Sequence, residues 1–236
     1  RKKKSGISLR KKHFIPKRQV LGRILKIGVP VAVQDGCIQV AFIIITIIAN
    51  HRGLNDAAAV GIVEKIITAI FIVPSSMLAT ISTLSAQNIG ANKHDRAAKI
   101  LHLGTMVTAG YGVLATLIVL CWGNQIIGLF TADVCVILLG TQYISSYIFD
   151  SILAGIHFCF TGYFCAYGKS YIGFIHNILS IAVVRLPASY LFSKWYPDTL
   201  FPMGLAAPVG SLLSVMICVI VYFWMKKRGS LGTVKA

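Results

Sequence analysis

Six long apolar runs, separated by short polar gaps, constrain this chain more than any other feature. A helix needs about 20 predominantly apolar residues to cross the hydrocarbon core of a bilayer. The runs that meet this length cover 27–48, 57–83, 100–122, 134–163, 171–192 and 203–225. The gaps between them carry turn and charge signals: "NHRGLND", "GANKHDRAAK", "WGNQ" through "TAD", "YGKS" and "SKWYPDTLFP". Barrel strands would alternate apolar and polar residues over about ten positions, and these runs are continuously apolar. The expected fold is an all-α membrane protein, six transmembrane helices in one bundle.

Basic residues then set the orientation. The net charge of +16 would fit a nucleic-acid surface only if it were gathered into a groove. Instead, 11 of the 23 Lys and Arg residues precede residue 27. Three more fall in the second gap, Lys169 in the fourth, and four after residue 225. Opposite gaps hold only Arg52 and Lys194, while Lys65 and Arg185 lie within spans. This asymmetry predicts a multi-pass protein of the cell (plasma or inner) membrane, with both ends of the chain cytoplasmic. It excludes nucleic acid as a partner. The lipid bilayer is the first partner expected. Residues 1–26 read as a basic cytoplasmic loop, 27–225 as the bundle and 226–236 as a cytoplasmic tail. The opening "RKKKSGISLRKKHFIPKR" begins at Arg1 without a cleavage site and reads as an internal segment of something longer.

Cysteines and glycines within the runs read as packing residues. The six cysteines show no C-x-x-C spacing, and "HFCFTGYFC" suits no common zinc pattern, so no metal or cofactor is expected. Gly104, Gly110, Gly112, Gly155 and Gly162, with Ala109, allow helices to approach closely.

Ionisable side chains inside the runs carry the functional signal. Each costs about 2.5–3.5 kcal/mol at a helix centre, so such groups face the bundle interior or a wet cavity. Asp150 is central in the fourth run. On a continuous helix, Tyr143, Tyr147, Asp150, Ala154, His157 and Thr161 share one face and form a candidate substrate pathway. Asp35 lies about 12 Å into the first span, flanked by Gln34 and Gln39, whose amides are further candidates for the substrate pathway. Glu64 is too short to reach the interface, whereas Lys65 snorkels. Arg185 either snorkels or pairs with a buried acid. Asp150, Asp35 and Glu64 are thus the candidate ion- or proton-coupling groups, and His157 can exchange a proton near its ordinary pKa. Pro74 interrupts the second span and should kink it. It is the candidate hinge, with Ser75, Ser76 and Thr80 expected to satisfy the freed carbonyls.

These spans resemble the multidrug and toxic compound extrusion (MATE) family. "IFIVPSSMLATISTLSAQNIGANKHDRAAKI" is similar to that family's proline-centred helix, its polar "QN-x-GA" turn and the basic loop after it. "FDSILAGIHFCFTGYFCAYGKS", "HNILSIAVVRLPASYLF" and "FPMGLAAPVGSLLS" are similar to its last three helices. The likeness runs from about residue 20 to 228.

By that resemblance the chain is the C-terminal six-helix lobe of a twelve-helix transporter, with an N-terminal six-helix lobe as its partner. The implied function is secondary active export of cationic or amphipathic drugs in exchange for Na⁺ or H⁺, by alternating access. Where one branch of the family carries a Glu, this chain has Ile38, with Gln39 beside it. That branch's fourth-helix Asp falls near Ala154, one turn from Asp150. The alternative within the same superfamily is a lipid-linked oligosaccharide flippase, which would line its cavity with several Lys or Arg. An enzyme is not expected, since the chain has no H-E-x-x-H and no phosphate-cradling Gly loop.

Overall fold

Residues 18–228 are described by a computed structural model, and every element among them is helical. The expectations for residues 1–17 and 229–236 lie outside the described residues. The helices are α1 (Arg18–Asn50), α2 (Leu54–Ile70), α3 (Ile72–Gly90), α4 (His94–Gly128), α5 (Val134–Tyr147), α6 (Asp150–Ala166), α7 (Ser170–Leu179), α8 (Leu186–Trp195) and α9 (Phe201–Lys227). A π-helical turn, Ser180–Arg185, joins α7 to α8.

The six sequence-predicted runs coincide with membrane-length helical stretches, the first run beginning one residue ahead of its stretch. Five are Gly28–Asn50, Leu54–Gly90, His94–Gly128, Ser170–Trp195 and Phe201–Lys227, and the sixth is α5 plus α6, bent by 43°. Helices extend beyond the apolar runs because polar residues continue the backbone ladder into the interface. Thus α1 begins at Arg18, inside the segment read as a loop, and α9 runs on to Lys227.

Burial is inverted relative to a water-soluble protein. Leu103, Val107, Leu114, Leu117, Ile220 and Phe223 are all exposed, as expected of side chains that face acyl tails. Two apolar clusters fill the interior. One gathers Ile45, Val60, Val63, Ile67, Val119, Ile127 and Ile144, and the other Ile81, Leu101, Cys159, Phe164 and Cys218. The turns sort to two ends. Arg52 donates to the carbonyls of Ser193, Tyr196, Pro197 and Thr199, so the α1–α2 and α8–α9 turns lie together. His94 Nδ1 lies 3.1 Å from the Tyr167 hydroxyl, which brings the α3–α4 and α6–α7 turns together at the other.

Besides a kink in α4 at Trp122 (φ −124°, ψ 20°), three of the spans are interrupted, each for an identifiable reason. Between α2 and α3 the break falls at Phe71, three residues before Pro74. Proline has no N–H and its ring crowds the carbonyl four residues back, here that of Ile70. The Tyr111 hydroxyl on α4 donates to that carbonyl at 3.0 Å. The nearby hydroxyls, expected to fill this role, do otherwise. Ser76 and Thr80 bond the Ile72 and Ser76 carbonyls, ordinary one-turn back-bonds.

The α5–α6 break has no proline. Its backbone tightens, with Ser151 N bonding the Ile148 carbonyl at 2.9 Å and Ile152 N that of Phe149 at 3.3 Å. Gly112 on α4 makes room for it, since a Cβ there would stand 2.8 Å from Ile152 Cα. Thr116 and Ser151 hydroxyls bond the Ile148 and Gly112 carbonyls across the contact. In the fifth span the π turn ends two residues before Pro187, where the α-helical register cannot be kept.

Candidate functional site

A cavity of about 360 Å³ lies inside the bundle, and residues at all three interruptions line it. Phe71, Ile72 and Ser75 come from the first break, Asp150 from the second, and Ser180, Ile181 and Arg185 from the π turn. Its lip is made of exposed residues on α1, α2 and α3, namely Asp35, Gln39, Thr68, Ile72 and Ser75. Its floor is buried and polar: Asp150, His157, Asn177, Arg185, Ser211 and Ser214. Phe42, Phe71 and Phe158 supply aromatic wall.

Asp150 is 1% exposed and sits 16 residues from each end of the α5–α6 span. The break before it changes its environment. As the first residue of α6 it sits at the positive end of a half-helix dipole, where a carboxylate is favoured. Ser211 on α9 hydrogen-bonds the carboxyl, while Oδ1 has no protein partner. Among the described residues the ion pair within 4.0 Å is Arg52–Asp56, so no guanidinium clamps Asp150.

Arg185 is the counter-charge. It is 8% exposed and donates to the Tyr147 hydroxyl. Its guanidinium lies 5.0 Å from the Phe42 ring centroid and 5.4 Å from that of Tyr147. It acts electrostatically on both Asp150 and Glu64 without touching either, and its Nε is buried without a partner. The side chain therefore neither snorkels nor pairs by contact.

The predicted face from Tyr143 to Thr161 is divided by the bend. Asp150, Ala154 and His157 line the cavity. Tyr143 and Tyr147 pack in the core with ring centroids 5.7 Å apart, so only Tyr147 bears on the cavity, and does so through Arg185. Thr161 is a helix-to-helix tie. It donates to the His157 carbonyl at 2.9 Å, and His176 Nε2, 3.1 Å away, then serves as donor to the Thr161 oxygen. The His157 and His176 rings meet edge to face at 5.5 Å, and the Nδ1 of each is unpartnered.

On α1, Asp35 and Gln39 reach the lip, whereas Gln34 is buried elsewhere with Oε1 unpaired. Glu64 is not among the lining residues; it accepts from Thr46 at 3.1 Å through Oε2, and its Oε1 is buried without a partner. Pro74 is buried beside the first break. Among the described residues no three His, Cys, Asp or Glu side chains converge on a metal position.

Apart from Arg185, sequence reasoning missed the polar floor from the last two spans. Asn177 with Ser180 and Ser211 with Ser214 recur at three-residue spacing within apolar runs, and that period was the available signal.

Five membrane-length helical stretches and one bent pair, packed around a buried polar cavity, define the described residues as part of a multi-pass membrane protein. The MatE family model matches residues 30–191, and the chain belongs to that family. It is 21% identical over 213 residues to the probable multidrug resistance protein YoeA of Bacillus subtilis (strain 168), covering 89% of this chain and 46% of the relative. It is 24% identical over 198 residues to the multidrug export protein MepA of Staphylococcus aureus (strain N315), covering 84% and 42%.

Solved structures share the fold. The Vibrio cholerae MATE transporter VcmN in its bent form matches with TM-score 0.79 and 16% identity, over 92% of this chain and 49% of that one. A MOP superfamily transporter from Pyrococcus furiosus matches with TM-score 0.84 and 14% identity, over 97% and 51%. The chain spans about half the length of each of these proteins.

Proposed function

We propose that this chain is the C-terminal half of a secondary active exporter of cationic or amphipathic compounds, working by alternating access against an N-terminal six-helix lobe. The single observation that carries the reading is Asp150, a carboxyl buried mid-span with one oxygen unpaired and a cavity beside it. Occupancy of such a group by H⁺ or Na⁺ changes the charge of the cavity. A cation that binds one conformation better than another shifts the population between them. The relatives' names, a probable multidrug resistance protein and a multidrug export protein, support drug export. Both ends of the chain are assigned to the cytoplasm from the distribution of basic residues.

The three broken spans supply movable joints. Each half-helix is free to tilt about its interruption while the apolar clusters on either side stay packed. Pro74 is the hinge of the first joint, and Asp150 and Arg185 lie at the other two.

A lipid-linked oligosaccharide flippase is the competing function, and it needs several cations facing a diphosphate. Here Arg185 faces the cavity with Asp35 and Asp150, while Lys65 lies on the exposed surface. That balance favours cations over phosphates. The test is uptake of a cationic dye into vesicles holding the full-length protein, under an imposed Na⁺ or pH gradient, beside a lipid-flipping assay on the same vesicles. Gradient-driven dye movement without flipping supports the exporter and names the ion. Flipping without dye movement overturns it.

A further inference from the structure

The cavity holds one buried acid and one buried base that do not satisfy each other, and this bears on ligand class. Asp150 enters from α6 and Arg185 from the π turn, at 1% and 8% exposure. They lie farther apart than an ion pair, and each keeps an unpartnered polar atom, Oδ1 on the acid and Nε on the base. The same cavity is lined by the apolar rings of Phe42, Phe71 and Phe158 and the hydroxyls of Ser180, Ser211 and Ser214. From this juxtaposition we propose that the intra-lobe cavity is a binding site for small aromatic zwitterions, ammonium toward Asp150 and carboxylate toward Arg185. The inference rests on the exporter reading and narrows its substrate class.

Desolvation is the reason. Two buried charges held apart leave each other's hydrogen-bonding capacity unfilled. A plain cation answers the carboxyl but meets repulsion from the guanidinium, and a plain anion meets the converse. A ligand with both charges completes both sites and leaves the cavity's net charge unchanged, which removes the penalty of burying an uncompensated ion. The guanidinium is already braced by the Tyr147 hydroxyl and two ring faces, so little ordering remains when it binds a carboxylate. Asp35 at the exposed lip adds a negative field that draws the ammonium end in first. The volume of about 360 Å³ admits one substituted benzene ring with short arms.

The test uses three probes of one skeleton with the purified full-length protein: para-aminomethylbenzoic acid, its methyl ester and its N-acetyl derivative. These are zwitterion, cation and anion in turn, and calorimetric titration gives the affinity of each. The zwitterion should bind about tenfold more tightly than either relative, the gain of one charge-assisted hydrogen bond. Arg185→Gln should reduce the zwitterion-to-ester ratio to about one, and Arg185→Lys should keep part of it.

Equal binding of zwitterion and ester to the native protein, or no binding of any probe, overturns the assignment. So does a ratio that survives Arg185→Gln. Dye export that persists without zwitterion preference rejects this inference and leaves the exporter standing. Absence of dye export rejects the exporter itself.

Discussion

The Tyr111 hydroxyl on α4 donates to the Ile70 carbonyl on α2, the acceptor that Pro74 leaves unbonded. A neighbouring helix thus completes the backbone of a broken one. The expected consequence is that Tyr111→Phe destabilises the bundle by about 1 kcal/mol, the range for a membrane hydrogen bond whose loss strands a carbonyl. Thermal unfolding in detergent measures it. An unchanged midpoint would show that the break needs no such brace.

Gly162 on α6 meets α3 so closely that a Cβ would strike the Leu78 carbonyl oxygen, and backbone cannot move aside as a side chain can. Gly162→Ala should cost about 2 kcal/mol through overpacking. Gly61→Ala is the control, since nothing lies within 4 Å of its Cβ position and alanine favours helix. Similar unfolding midpoints for the two variants would refute the α3–α6 contact.

Arg52 gathers the α8–α9 turn by donating to four carbonyls at 2.7–3.2 Å while its Nε holds Asp56. Lysine has no planar fork with which to replace it. Both Arg52→Ala and Arg52→Lys should therefore speed proteolytic cleavage and amide exchange between residues 196 and 200. Protection equal to the native protein's in the lysine variant would mean that charge, not geometry, secures the turn.

Much of this was legible in the sequence, and the rest was not for physical reasons. Continuous apolar length pointed to the five membrane-length helices and the bent α5–α6 pair, because bilayer thickness leaves few alternatives. Pro74 announced its break, since a missing N–H is a local property. The bend at Asp150 was silent. It depends on Gly112 and Thr116, more than thirty residues away, and no local residue type encodes it. That is why Tyr143, Tyr147 and Thr161 read as one face with Asp150, although the bend and their packing partners keep them off the cavity wall. Arg185 was visible as an anomaly in an apolar run. Its partnership with Tyr147, Phe42 and the cavity required the fold.

The central claim is that the Asp150 carboxyl couples cation occupancy to export, and Asp150→Asn tests it most directly because it keeps shape while removing charge. Cationic-dye transport by the full-length variant should be measured in vesicles under an imposed ion gradient, with its amount in the membrane matched to the native protein. The account predicts that gradient-driven transport falls to the level of protein-free vesicles. Transport at the native rate, with the same dependence on the gradient, would contradict it.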